Sequence, residues 1–147
     1  MPYRIIRNNE ENHLREVKML FGGSTEIVIT SPFLSVDVMK SLGNYLTERV
    51  KNVTLITTLK PHAVEQFNKV QVLNELFRLK KTRGFNLIVR IDNDLHGKIY
   101  IGKNEDKYVG CIISSANFTN NGLEHNHEWG GFIDNQEETT RINEQMM

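Results

Sequence analysis

His96 and Lys98 stand two residues apart in the run L-H-G-K-I-Y-I. If a strand begins by His96, its period of two turns both side chains to one face and sets an imidazole beside an ammonium. That pairing suits attack on phosphorus, because a neutral imidazole is a competent nucleophile near pH 7 and a cation holds a non-bridging oxygen. Further along, C-I-I-S-S-A-N-F-T-N-N-G-L places Ser114, Ser115 and Asn117 directly after an apolar run. They supply hydroxyl and amide donors in a turn that Gly122 eases. Glu128 heads the next apolar segment, where a carboxylate can hold an imidazole N–H. Taken singly these are a turn residue, a solvated cation, turn formers and a surface acid. Together they make one segment dense in groups that can bind or attack phosphate. His125 and His127, two apart beside Glu128, also admit a metal site. With no Cys pair, and with Glu128 facing away from them on a regular strand, that reading is the weaker one, and neither a metal nor a cofactor is expected.

The elements that must position these groups follow from hydrophobic periodicity. Glu26 to Thr30 is a short β-branched run stopped by Ser31-Pro32, the pattern of a buried strand. From Val36 to Val50 apolar residues recur at three- and four-residue steps behind Ser35 as N-cap, which predicts a helix. Val53 to Thr58 reads as a strand, Pro61 opens a second amphipathic helix through Leu79, and Gly84 ends it. Phe85 to Ile91, Lys98 to Ile101, Tyr108 to Ile113 and Trp129 to Ile133 read as strands, and Glu137 to Met147 as a terminal helix. The βαβα order followed by strands predicts an α/β fold, a mixed sheet flanked by helices, with parallel pairing early and antiparallel hairpins late.

At 147 residues and 17.0 kDa the chain has room for one core and one site, so residues 1–147 are expected to form a single domain. No apolar stretch approaches the roughly 20 residues a membrane span needs, the start lacks a signal-peptide pattern, and one cysteine, Cys111, makes no internal disulfide. A cytoplasmic protein without a membrane partner is expected. The net charge of +0 conceals an uneven distribution. Between Glu48 and Arg90 nine Lys or Arg stand against three acids, whereas from Glu124 onward six acids stand against one base. Such asymmetry can steer a polyanion to one face.

Together, His96-Gly97-Lys98, Ser115-Ala116-Asn117 and Glu128 resemble the H-x-K, S-x-N and carboxylate of the phospholipase D superfamily. The runs Ser114 to Gly122 and Ser31 to Ser35 look most like its single-motif nuclease branch, which comprises small bacterial endonucleases and catalytic domains of metal-independent restriction enzymes. The resemblance covers Thr25 to Ile133. Two positions depart from it: Lys103 stands where the family has an Asp five residues after the Lys, with Asp106 as the nearest substitute, and Ser114 replaces a Gly.

The resemblance implies a phospholipase-D-like catalytic domain and a phosphodiesterase that cleaves nucleic acid, most readily DNA, without a metal. One His96 attacks phosphorus and a second protonates the leaving oxygen. Since His13, His62, His125 and His127 lack a Lys two positions on, a homodimer is implied, with His96 from both copies in one site. Lys98, Ser115 and Asn117 are expected to clamp the phosphate and Glu128 to orient its imidazole. Lys60, Lys80, Lys81, Arg83 and Phe118 are the expected nucleic-acid contacts. An inactive DNA- or protein-binding module is the alternative, and a phospholipid hydrolase a third reading, disfavoured because no basic amphipathic helix is seen. A restriction enzyme needs a target-reading element besides this core, so in that case the chain is expected to be a catalytic fragment of a longer one.

Overall fold

The computed structural model describes residues 3–9 and 12–146. In chain order the elements are β1 (Tyr3–Arg7), α1 (His13–Gly22), β2 (Glu26–Thr30), α2 (Val36–Tyr45), β3 (Asn52–Thr57), α3 (Ala63–Arg83), β4 (Asn86–Ile91), β5 (Lys98–Asn104), β6 (Lys107–Ser114), a π-helical turn (Asn121–His125), β7 (Trp129–Ile133) and α4 (Gln136–Met146). The strands form one mixed sheet in the order β1-β7-β6-β5-β2-β3-β4. β2, β3 and β4 are parallel, linked by α2 and α3, as the early βαβα pattern requires. β5, β6 and β7 add antiparallel neighbours, and β1 closes the far edge against β7.

β2 and β3 are β-branched and buried, as strands with neighbours on both sides are; Ile27, Ile29, Val53 and Leu55 pack in the core with Leu20 and Phe21 of α1, Leu42 of α2 and Leu76 of α3. Gly84, at φ 79°, caps α3 in the left-handed conformation that glycine adopts without strain.

α2 is shorter than the sequence periodicity predicts. It ends at Tyr45, with Leu46 extended, while Leu46 and Val50 are still buried, in the connection rather than on the helix. Guanidinium nitrogens of Arg83 bond the Gly43 and Leu46 carbonyls and so take up acceptors at the helix end. The sequence periodicity predicts none of three elements, β1, α1 and the π-helical turn. The stripe of α1 that faces the sheet includes buried His13 and Glu16 among Val17, Leu20 and Phe21, which dilutes the apolar pattern.

Candidate active site

The site is built at one rim of the sheet, where antiparallel pairing brings the start of β5 against the ends of β2 and β6. Ile99 lies opposite Thr30, Lys98 opposite Ser114, and Ser114 opposite Gly130. Lys98, Ser114 and Gly130 are therefore lateral neighbours on three adjacent strands, about 4.8 Å from one to the next. The same rim carries the loops after parallel strands β2 and β3, the usual location of a binding crevice in an α/β sheet.

β5 begins at Lys98, so His96 lies in the preceding loop and strand alternation does not align the pair. Both nonetheless line one cavity of about 380 Å³, together with Pro32, Phe33, Thr58, Lys60, His62, Glu65 and Leu95. The cavity draws one wall from the loop after β2, one from the loop after β3 and one from the segment entering β5.

Ser115 and Glu128 face each other across the ends of β6 and β7. The Ser115 hydroxyl donates to Glu128 Oε1 at 2.6 Å, and Trp129 N–H donates to Ser115 Oγ at 3.2 Å. Ser115 has one proton, so in this arrangement it fixes the carboxylate rather than reaching for a phosphate. Asn117 Oδ1 accepts the Phe33 N–H at 3.3 Å and lies 3.2 Å from Ser31 Oγ, which donates its proton to the Phe33 carbonyl at 2.6 Å, and this leaves the side-chain NH₂ as the group to offer a ligand. Ser31 is fully buried and also accepts from Phe118 N–H at 2.9 Å, so the S-P-F-L-S segment anchors the Asn117 loop. Beneath it the Tyr100 hydroxyl donates to the Ala116 carbonyl at 2.7 Å, and burial pushes that phenol far above its ordinary pKa.

Several expected contacts lie elsewhere. Phe118 is fully buried, its ring centroid 5.8 Å from that of Tyr100, so it is a core residue and does not touch substrate; Phe33, 61% exposed on the cavity wall, is the aromatic offered there. Lys80, Lys81 and Arg83 sit in the last turn of α3, whereas the cavity adjoins its start. At 1.5 Å per residue they are roughly 27–32 Å from His62. Arg83 is moreover committed to the end of α2. Of the predicted nucleic-acid contacts, Lys60 alone borders the cavity. Asp106 lies in the β5–β6 hairpin, at the end of β5 opposite His96, too far to replace a missing site carboxylate. His125 closes the π-helical turn and His127 lies in the segment before β7, so they do not share a strand. Among the described residues no three His, Cys, Asp or Glu side chains are grouped to hold a metal.

Three groups escaped the sequence reading. His62 is the N-cap residue of α3 yet makes no capping hydrogen bond with its side chain, and it faces the same cavity as His96. Its position just after a parallel strand was the available signal. Lys69, 1% exposed, lies under the cavity wall and donates to the Pro32 carbonyl at 2.8 Å and the Thr58 carbonyl at 2.5 Å. Glu65 completes that cluster, accepting from Thr58 Oγ1 at 2.8 Å and from Lys60 N–H at 3.0 Å; these bonds hold its carboxyl below the usual carboxylate range. His13 is buried directly behind the Ser115 loop, hydrogen-bonded to Asn8 and Ser114. Cys111 is buried, which pushes its thiol up to about 12 and keeps it unreactive.

Residues 12–146 match the family model described as the NgoFVII restriction endonuclease N-terminal PLD domain. No curated protein matches the chain. Among solved structures, Nuc from Salmonella typhimurium, a phospholipase D family member, aligns with a TM-score of 0.69 at 19% identity, over 98% of this chain and 90% of that one. NucT from Helicobacter pylori aligns with a TM-score of 0.67 at 17% identity, over 97% and 91%. TrmBL2, an archaeal chromatin protein that binds DNA, aligns at 0.60 and 14%, over 99% of this chain and 50% of its own. At these identities the structural likenesses speak to the fold.

Proposed function

The chain belongs to the family of NgoFVII restriction endonuclease N-terminal PLD domains and has the phospholipase-D-like fold, and on that premise we propose that it hydrolyses phosphodiesters of DNA through a phosphohistidine at His96, in a site shared by two copies of the chain. The observation that carries the reading is the convergence at one sheet rim. His96 and Lys98 line one cavity, and Asn117 and the Ser115–Glu128 pair are held at the adjoining strand ends.

In the first step the lone pair of an unprotonated His96 nitrogen forms the N–P bond while the P–O bond to the leaving nucleoside oxygen breaks. That oxygen takes a proton from the imidazolium of His96 of the partner subunit. In the second step the now neutral imidazole of the partner subunit's His96 removes a proton from water, the water oxygen attacks phosphorus, and the N–P bond electrons return to the first His96. Lys98 and the Asn117 amide hold the non-bridging oxygens; preorganised donors of this kind contribute about 3–4 kcal/mol each. Glu128, fixed by Ser115, stabilises imidazolium. The second copy is invoked because the chain contains one H-x-K motif.

The test is cleavage of supercoiled plasmid and single-stranded DNA in EDTA, wild type beside His96→Ala, quenched in denaturant at alkaline pH, where a phosphoramidate survives. Nicking in EDTA, a covalent protein–DNA adduct and loss of both in the variant are expected. Obligatory Mg²⁺ dependence, or full turnover by His96→Ala, would overturn the mechanism. DNA binding without nicking or adduct would mark a binding module instead.

A further inference from the structure

We infer that His13 positions the loop carrying Ser115 and Asn117, acting through Ser114 as a neutral imidazole with its proton on Nδ1. The inference rests on the nuclease reading for the importance of that loop; its geometry stands independently.

The hydrogen-bond accounting fixes the tautomer. The Asn8 amide nitrogen donates to the Gly122 carbonyl at 2.7 Å and to the Asn126 carbonyl at 2.8 Å, so its orientation is set and Oδ1 points at His13. That oxygen accepts the His13 backbone N–H at 2.9 Å and lies 2.7 Å from Nδ1, which must therefore carry a proton. In the neutral ring Nε2 is then an acceptor, 2.8 Å from Ser114 Oγ. Ser114 donates its single proton to Nε2 and accepts the Ala116 N–H at 2.8 Å. The path from Asn8 through His13 and Ser114 ends on the residue between Ser115 and Asn117.

The packing keeps this path closed. A Cβ on Gly130 would lie 2.7 Å from His13 Nε2 and 3.0 Å from the Ile113 carbonyl, so the absence of a side chain at Gly130 lets the ring reach Ser114. Ser114 also replaces the glycine of the resembled motif, and its hydroxyl is what the imidazole meets.

Protonation would reverse one bond. His13 Nε2–H would donate to Ser114, and the Ser114 proton would turn to the Trp129 carbonyl, 3.3 Å away and already accepting the Ser115 N–H. Burial lowers the His13 pKa below its ordinary value, while the charges of Glu128 ahead of β7 and of Glu16 on α1 oppose the shift. Glu16 is itself neutralised by Arg4 of β1 at 2.5 and 2.8 Å; β6 contributes the Ser114 hydroxyl, and the 121–125 turn acts through Asn8. A lowered value means that the folded state resists the proton. Stability due to His13 is thus fully present above about pH 6.5 and is lost as pH falls below it.

The test uses the whole chain and two substitutions that separate the ends of the ring. His13→Gln puts an amide oxygen near Nε2 and keeps an acceptor for Ser114, whereas His13→Asn keeps a group near Asn8 and withdraws the one at Ser114. For folded His13→Asn and for Ser114→Ala, kcat on DNA is expected to fall on the order of 10- to 100-fold with KM held within about twofold. His13→Gln should retain most of kcat and lose the acid-side stability loss seen in the wild type. Histidine ¹⁵N spectra should show His13 neutral and protonated at Nδ1 at pH 7. An Nε2–H tautomer, or wild-type kcat in folded His13→Asn, would overturn the inference. If the wild type does not cleave DNA, only the nuclease reading fails. The ¹⁵N spectra and the Ala116 and Asn117 amide shifts of His13→Asn then decide, displaced shifts supporting the role and unmoved ones overturning it.

Discussion

The ammonium of Lys69 replaces its lost hydration with the Pro32 and Thr58 carbonyls, Thr58 Oγ1 at 3.1 Å and Glu65 Oε1 at 3.4 Å. Burial draws its pKa down and Glu65 opposes the change. One cation thus ties the loops after β2 and β3 to the first turns of α3. Replacing it by Met takes the neighbouring cation from Glu65, the amine donor from the Thr58 carbonyl and the shortest bond from the Pro32 carbonyl, so Lys69→Met is expected to lower stability by about 3 kcal/mol, measured as a lower urea midpoint with unchanged m. In the sequence this lysine was one more base in a basic stretch. His96, Lys98, Asn117 and Glu128 could be singled out as candidates because their types and order are informative without coordinates. Phe118 misled for the converse reason: it follows Asn117 in a donor-rich segment, yet the backbone, bridged to Leu34, turns it into the core.

At the scale of elements, α1 lies directly on β5. A Cβ at Gly102 would come within 2.2 Å of Ser24 Oγ, 2.9 Å of Leu20 Cδ1 and 3.0 Å of the Leu20 carbonyl, so only glycine allows this approach. Gly102→Ala must push helix and sheet apart, and the expected loss is about 2–3 kcal/mol, read as a lower Tm. Because α1 carries His13, the same variant tests whether that helix's seating matters to the site. Six strands and three helices were legible, the strands and α2 from apolar runs or faces and α3 from apolar spacing that buried Lys69 interrupts, whereas α4 buries only Thr139 among its described residues. β1 and α1 were not. Ile5 is 71% exposed while Ile6 is buried, and the buried polar residues of α1 find their partners on distant strands, a pairing invisible to local pattern.

Across the whole molecule the basic middle segment does not form a single surface. Lys69 is buried, Arg83 holds α2, Arg78 pairs with Glu75 and Lys51 lies 3.7 Å from Glu105, leaving Lys60 at the cavity. Lys60→Ala should therefore lower DNA affinity and reduce the salt slope of log K by about one, whereas Lys80→Ala/Lys81→Ala should change DNA cleavage by less than about twofold. Titration of fluorescent DNA at several salt concentrations, with parallel cleavage assays, checks both. The sequence reading located charge asymmetry correctly in number but could not know which side each base faces. The sheet order carries one further consequence. β1 pairs with β7, and Asn8 bonds the carbonyls of Gly122 and Asn126, so the first segment of the domain finishes the loop formed by the last. During synthesis these bonds cannot form before the ribosome has released β7. A nascent chain that has reached only Lys98 holds His96 and Lys98 without Ser115, Asn117 and Glu128, so the proposed site cannot assemble until the domain is whole.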